Sequence, residues 1–282
     1  MNSGEHWQVG CDSISPNLKK LFGSGGFEWS FKMRPGDAES FFAPTAATED
    51  LLAERQRRIH NHPDRYVAVS SAGHKLVESV WELALGWGQV VEPVDAVRDL
   101  ANLSCQWEAD LLILDQQTMT FAAGAVCFPS SWSLEKRIGQ TIDDVHAVVP
   151  GLNPQIGKMI TRYLSALRPG KTSRRENWSV TRSPELDYHP ALQRQKLDQT
   201  VTMDELSLRV EHQLFTGISA GVLMGLRVEA IPIKILAQDR AVWNAVAEKI
   251  RTMPDEVADY KAMQSAVSRI LEEMDAFSPL DE

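Results

Sequence analysis

The fold is decided by residues 110–128, DLLILDQQTMTFAAGAVCF. Two apolar runs, residues 111–114 and 119–128, are separated by the polar residues 115–117. Short apolar runs joined by a polar turn are typical of a β-hairpin, and Pro129 ends the second run. The sequence therefore predicts an antiparallel pair of strands here.

Three more strands are predicted downstream, over residues 176–182, 206–215 and 222–233. Alternate residues of a strand point to opposite faces of its sheet. In the second of these strands, one face carries Leu208, Val210, His212 and Leu214, and the other carries Arg209, Glu211 and Gln213. One face is thus apolar and the other is charged.

Helices are predicted between the hairpin and these strands. Ser133 opens a short helix that Gly139 ends, and a polar loop containing His146 follows. Asn153 then begins a longer helix with Pro154 in its first position, where the missing N–H costs nothing. This segment connects the hairpin to the three later strands.

The two ends of the chain are predicted to be mainly helical. An aromatic-rich arm of about thirty residues docks on the body, helices follow over residues 48–59 and from Ser71, and two helices close the chain. The whole order predicts an α+β fold: a PAS-like five-stranded antiparallel sheet with helices over one face, plus helical N- and C-terminal extensions. We divide it into residues 1–104 (arm and helical extension), 105–235 (PAS-like core) and 236–282 (C-terminal helices). Such a sheet commonly holds its ligand beneath the connecting helices, here residues 137–153.

Composition excludes several classes of function. The 282 residues carry 29 basic and 38 acidic side chains, a net charge of −9, which disfavours nucleic acid or an anionic membrane as a partner. Cys11, Cys105 and Cys127 form no Cys-x-x-Cys pair, so we expect reduced thiols and no iron–sulfur cluster on this chain. With neither a signal peptide nor a run of about 20 apolar residues, the protein is expected to be cytoplasmic.

His146 is the most informative of the seven histidines. Local sequence alone favours a histidine bonded to its own loop, since a lone histidine is poor support for a metal site. The alternative is a single axial ligand to a heme iron, which needs only one protein donor.

Two strand segments offer candidate contacts to a ligand. Arg175 and Asn177 share a face, where they form either a solvated edge or a basic mouth for the carboxylates of a buried cofactor. Arg209 and Glu211 are explained by a cross-strand ion pair or by a polar site. His212 lies on the apolar face, as a satisfied core histidine or as a donor to bound oxygen.

Five motifs in this order resemble the heme-dependent oxidative N-demethylases, a family that includes the heme subunit of dimethylamine monooxygenase. They lie at residues 123–132, 135–139, 145–150, 175–178 and 209–213, within a resemblance that spans roughly residues 31–233. The resemblance implies a PAS-like heme b domain that acts as an oxidoreductase. Its iron activates O2, an N-methyl group is hydroxylated, and the product breaks down to the shorter amine and formaldehyde.

The resemblance also implies partners and roles. Electrons come from NADPH through FMN and a 2Fe–2S cluster on a separate reductase subunit, in a homo- or hetero-oligomeric assembly. Position by position, His146 is the proximal metal ligand, Arg175 and Asn177 contact the cofactor, and Arg209, Glu211 and His212 are the catalytic candidates.

Three departures from the family pattern bear on the substrate. His212 stands where an arginine is usual, Val148 replaces a proline, and residues 217–219 replace an Arg-Leu-Pro. A histidine in place of arginine changes both the charge and the hydrogen-bond donor offered to a ligand. The same heme scaffold acting on a different substrate is therefore one alternative; a non-catalytic heme gas sensor and a heme-free binding subunit are others.

Overall fold

A single antiparallel sheet organises the molecule. The computed structural model describes residues 16–93 and 97–277, which form a seven-stranded sheet. Its strands are β1 (Arg34–Pro35), β2 (Val67–Val69), β3 (Asp110–Asp115), β4 (Thr120–Ala125), β5 (Thr172–Thr181), β6 (Ser207–Ile218) and β7 (Gly221–Pro232). Across the sheet they are ordered β1-β5-β6-β7-β3-β4-β2, and every neighbouring pair is antiparallel. The predicted combination of helices with an antiparallel sheet is confirmed.

The predicted number of five strands is wrong because two short strands extend the edges of the sheet. The five predicted strands correspond to β3–β7. In addition, β1 pairs with β5, placing Arg34 opposite Arg174, and β2 pairs with β4, placing Val67 opposite Ala125. With only two and three residues, these edge strands are too short to show the alternation that identifies a strand.

The helices follow the predicted order with several corrections, and the short helix predicted from Ser133 to Gly139 is only a 3-10 turn, Leu134–Lys136. They are α1 (Pro16–Phe22), α2 (Ala38–Phe42), α3 (Thr48–Asn61), α4 (Pro63–Tyr66), α5 (His74–Gly86), α6 (Leu100–Ser104), α7 (Ile142–Ala147), α8 (Lys158–Ala166), α9 (Arg240–Arg251), α10 (Asp255–Tyr260) and α11 (Val267–Ala276). His146, predicted in a loop, lies in α7 instead. The helix predicted to begin at Asn153 starts as a π-helical turn, Asn153–Gly157, that continues into α8.

Helices cover both faces of the sheet rather than one. On one face, Leu111 and Ile113 of β3 pack with Trp81 of α5 in one core. On the other face, Leu112 of β3 packs with Ile160 of α8 in a second core. Because β3 lies between β7 and β4 and is covered on both sides, residues 111–114 are all apolar, which explains the continuous run that predicted the hairpin.

A third core holds the C-terminal helices against β5–β7. It includes Leu208, Ile231, Trp243 and Ile270. The last predicted helix is broken between α10 and α11, where Ala262 adopts a left-handed conformation with φ of 55°. This break directs residues 260–262 toward the sheet.

The N-terminal aromatic residues dock on the body as predicted, as far as they are described. Phe22 is buried and meets Trp178 edge to face at a ring distance of 5.2 Å. The Trp29 ring N–H donates to the Pro150 carbonyl at 2.8 Å. Trp7 and Cys11 lie outside the described residues. Within 16–93 and 97–277, no helix is long and apolar enough to cross a bilayer.

Candidate functional site

A cavity of about 750 Å³ lies on the sheet face that α7 and α8 cover. Its walls come from many parts of the chain, among them the N-terminal arm, the α7–α8 segment, β5, β6 and the break after α10. Apolar lining residues include Phe31, Leu112, Phe121, Val149, Leu152, Phe215 and Met224. A large, mostly apolar cavity with a few polar groups is the usual form of a cofactor or ligand site.

Helix α7 places His146 in the wall of this cavity. A capping box starts the helix: the Thr141 hydroxyl accepts from the Asp144 N–H at 3.1 Å, and the Asp144 carboxylate accepts from the Thr141 N–H at 3.2 Å. His146 lies in the last turn, and its buried Nδ1 has no hydrogen-bond partner within the described residues. Burial, together with the nearby Arg175 charge, lowers the pKa of His146 to about 4. The imidazole is therefore neutral at pH 7, the form that binds a metal ion.

Strand β5 contributes Arg175 and Asn177, which both line the cavity as their two-residue spacing predicts. The Arg175 side chain forms neither a hydrogen bond nor an ion pair with the other residues described, although its backbone lies in the ladder between β5 and β6. Burial lowers the pKa of its guanidinium, an effect that Glu211 and Glu176 oppose. The Asn177 amide donates to Glu211 Oε2 at 3.5 Å.

Strand β6 contributes a network of hydrogen bonds centred on Glu211. The fully buried Arg209 donates from Nε to Ser130 Oγ at 2.6 Å and from its terminal nitrogen to the Phe128 carbonyl at 2.7 Å. Ser130 in turn donates to Glu211 Oε1, and Gln213 donates to Glu211 Oε2 at 3.2 Å. Burial lowers the pKa of Arg209, and the Glu211 charge opposes this shift. The network fixes the Glu211 carboxylate on the cavity wall.

His212 is the one predicted site residue that lies elsewhere. It lines a smaller pocket of about 240 Å³ on the opposite face of the sheet, where its Nε2 is 3.3 Å from Glu229. The prediction that it faces the main cavity is wrong because it alternates with Glu211 along β6. His212 is partly exposed beside Glu229, so it is not the satisfied core histidine of the other interpretation either.

Lys261 is a cavity residue that the sequence analysis missed. It lies just after α10, and its Nζ donates to the Trp178 carbonyl at 2.6 Å while lying 5.5 Å and 5.7 Å from the Trp178 and Trp29 ring centres. Burial lowers the pKa of the Lys261 ammonium to about 8, and Glu211 opposes the shift. One signal was available: Lys261 stands four residues after Val257, where the helical period calls for an apolar residue.

His189, at another part of the lining, was also missed. Its side chain is 5% exposed, Nδ1 accepts from the Ala191 N–H at 3.2 Å, and Nε2 lies 3.6 Å from Glu135 without a hydrogen bond. The sequence offered no local signal for this placement.

Three other side chains of metal-binding type, Cys127, His60 and His62, do not line the cavity. Cys127 is buried, and burial raises the pKa of its thiol to about 12, so it is a protonated core residue. His60 and His62 are exposed. Across residues 16–93 and 97–277, no group of three His, Cys, Asp or Glu side chains is placed to hold a metal ion.

The donors that do line the cavity fit a heme better than an ion held by protein alone. A heme iron needs one axial protein ligand, which His146 can supply, and its propionates need cations, which Arg175 can supply. The apolar walls suit the macrocycle.

Comparison with known protein families agrees with this geometry. The family described as haem-dependent oxidative N-demethylase, alpha subunit-like, matches residues 59–271. The match contains α7, β5, β6 and the break after α10, and thus most of the cavity wall. The resemblance seen in the sequence is confirmed, and the chain belongs to the heme-dependent oxidative N-demethylase alpha-subunit-like family.

Proposed function

We propose that this chain binds heme b and activates O2 to remove an N-methyl group from a small secondary amine, dimethylamine or a close relative, with release of formaldehyde. One observation carries the proposal. A single cavity holds both His146, with a buried ring nitrogen that lacks a partner, and Glu211, a carboxylate fixed by hydrogen bonds.

Three residues are proposed to hold the cofactor. His146 would bind the iron, Arg175 would bind a propionate, and Asn177 would contact the same region. When bound, heme supplies activation of O2 and transfer of one oxygen atom to an N-methyl carbon. The volume of about 750 Å³ is within the range of roughly 300–1,000 Å³ usual for such sites.

Glu211 is proposed to bind the amine. A small secondary amine is an ammonium ion at neutral pH, and its N–H groups need acceptors. The carboxylate of Glu211 accepts from Ser130, Asn177 and Gln213, but two carboxylate oxygens offer about four lone-pair sites, which leaves capacity for a substrate N–H. Arg209 acts through Ser130 to keep the carboxylate in place.

The proposed reaction needs an electron source outside this chain. Oxidation of the N-methyl amine by O2 to the shorter amine, formaldehyde and water consumes two electrons and two protons. We propose that a separate NADPH-dependent reductase subunit with FMN and a 2Fe–2S cluster supplies the electrons. The words "alpha subunit" in the family description support an enzyme of more than one subunit.

The heme site is tested with visible spectra of the purified protein and its His146→Ala variant after hemin addition, in ferric, reduced and CO-bound forms. We expect a Soret band and a histidine-type CO spectrum in the wild type, and their loss or alteration in the variant. His60→Ala, which removes an exposed histidine, is the matched control and should behave as wild type. Full heme occupancy with an unchanged spectrum in His146→Ala would overturn the assignment.

The role of Glu211 is tested with Glu211→Gln, which keeps the shape of the side chain and removes its charge. Addition of dimethylamine to the heme-loaded wild type should shift the Soret band and, with a reductase, yield formaldehyde. We expect the variant to need at least tenfold more amine for the same shift, because hydrogen bonds to charged groups contribute about 1.5–3 kcal/mol. Equal amine affinity in both proteins would contradict this role.

A further inference from the structure

We propose that Lys261 is a second carboxylate-binding residue of the cavity and that it acts with Arg175 on one ligand that carries two carboxylates. Heme, with its two propionates, belongs to this chemical class. The inference rests on the proposed function and extends it to a residue outside the five motifs that carry the family resemblance.

The chain places Lys261 in the cavity by an unusual backbone route. Helix α10 ends at Tyr260, and Ala262 takes a left-handed conformation that non-glycine residues rarely adopt. The Lys261 N–H still donates to the Val257 carbonyl at 2.9 Å, so the turn is well fixed. The Lys261 Nζ then lies 5.7 Å from the ring centre of Trp29 and 5.5 Å from that of Trp178. Its ammonium is held at the cavity wall and not released to solvent.

Lys261 and Arg175 are partly buried cations of the cavity wall that share one property. Neither forms an ion pair with a carboxylate anywhere in residues 16–93 and 97–277. By contrast, Arg55 pairs with Asp110 and Arg58 pairs with Asp187. A buried cation without an anion is costly, so it is normally paired or bound to a ligand.

Glu211 does not neutralise these two cations. Its charge acts on both of them, but it forms no hydrogen bond or ion pair with either side chain within the described residues. Glu211 also balances Arg209, with which it shares Ser130. Three cations, Arg175, Arg209 and Lys261, therefore surround one carboxylate, which leaves two positive charges without a compensating negative charge.

Two uncompensated positive charges favour one class of ligand. The proposed ammonium substrate would be repelled by Lys261, and a ligand with one carboxylate would leave one cation uncompensated. A ligand with two carboxylates compensates both. Once it is bound, the charge of Glu211 is no longer offset by its neighbours, which favours the ammonium ion. The amine is thus expected to bind after the cofactor.

The experiment compares binding of hemin and of hemin dimethyl ester, whose carboxylates are blocked, to the heme-free protein at pH 7. Binding is followed by the Soret band for wild type, Lys261→Met and Lys261→Arg. Lys261→Met should weaken hemin binding about tenfold or more, because it removes a charged hydrogen bond, and should leave ester binding unchanged. Lys261→Arg should restore most of the hemin affinity. Lys75→Met, at an exposed lysine away from the cavity, is the matched control and should change neither affinity.

Each other outcome overturns the proposal in a recognisable way. If Lys261→Met weakened the binding of hemin and of its ester equally, Lys261 would have only a packing role. If it weakened the binding of neither, Lys261 would not contact the ligand. Failure of the wild type to bind either ligand would reject the proposed function itself. Far-UV circular dichroism of the variants separates these results from misfolding.

Discussion

Lys261 shows how one side chain can couple a binding site to the stability of the fold. An ordinary lysine has a pKa of about 10.4, whereas burial lowers the pKa of Lys261 to about 8. The unfolded chain therefore binds a proton between these pH values that the folded protein has released. The free energy of unfolding should rise with pH across this window, and the destabilisation is fully present below pH 8.

This sign gives a prediction for the heme-free protein. We measure the free energy of unfolding in urea for the wild type and Lys261→Met at pH 7 and pH 10. The substitution should raise this free energy, relative to the wild type, more at pH 7 than at pH 10. The variant lacks the charge that burial destabilises, and that charge matters only while the lysine is protonated. Lys75→Met, which removes an exposed lysine away from the cavity, is the control for this comparison. The prediction would be contradicted if Lys261→Met became more stable, relative to the wild type, as the pH rises from 7 to 10.

Individual site residues differ in how well the sequence predicts them. Arg175, Asn177, Arg209 and Glu211 line the cavity as expected, because the two-residue period of a strand fixes which side chains share a face. The same period places His212 on the other face, as the pattern itself indicated. Lys261 could not be paired with Arg175 from sequence, since 85 intervening residues separate them.

At the scale of elements, helix α7 depends on its first turn. Thr141 and Asp144 cap it, and the helix has only six residues, Ile142–Ala147. A helix this short is marginal without its cap. The position of His146 is therefore coupled to the Thr141 hydroxyl, although the two side chains have separate roles.

The corresponding prediction uses Thr141→Ala. Loss of this cap should lower the free energy of unfolding by about 1 kcal/mol and speed the release of heme, because the ligand helix frays. Ser133→Ala is the matched control: Ser133 also precedes a helical turn, Leu134–Lys136, but its side chain makes no capping bond. Chemical unfolding and transfer of heme to apomyoglobin measure the two effects. Equal losses in both variants would show that the cap is irrelevant.

Helices and strands could be predicted where the backbone follows the regular period that the side-chain pattern indicates. Strands β3–β7 are each at least six residues long, and each contains an apolar run or an alternation of apolar and polar residues. The break between α10 and α11 was missed because the apolar period continues through Val257, Ile270 and Met274 on both sides of it. No glycine or proline stands at Ala262 to mark the left-handed turn.

At the scale of the whole molecule, the cavity joins parts of the chain that are distant in sequence. The N-terminal arm, α7–α8, β5–β6 and the turn after α10 all contribute to its lining. A ligand in this position would contact several of these elements at once. Ligand binding should therefore raise the free energy of unfolding of the whole domain.

Thermal unfolding with and without hemin tests this expectation. A ligand at about 100 times its dissociation constant stabilises the folded state by roughly 2.7 kcal/mol, which should appear as one transition displaced to higher temperature. His146→Ala should show a smaller displacement at the same hemin concentration. A second transition that hemin leaves in place would indicate that the C-terminal helices unfold independently of the cavity.

Strand β6 also constrains how this protein can change its specificity. All twelve of its residues are in register with β7, and ten of them are in register with β5, so the strand has no free edge to absorb a change in length. An inserted or deleted residue before Glu211 would turn the charged face toward the opposite core and bring apolar side chains into the cavity. A change of substrate must therefore come from exchange of side chains along β6. Insertions and deletions in the cavity wall fit better in the segment 188–197, which lies outside the sheet.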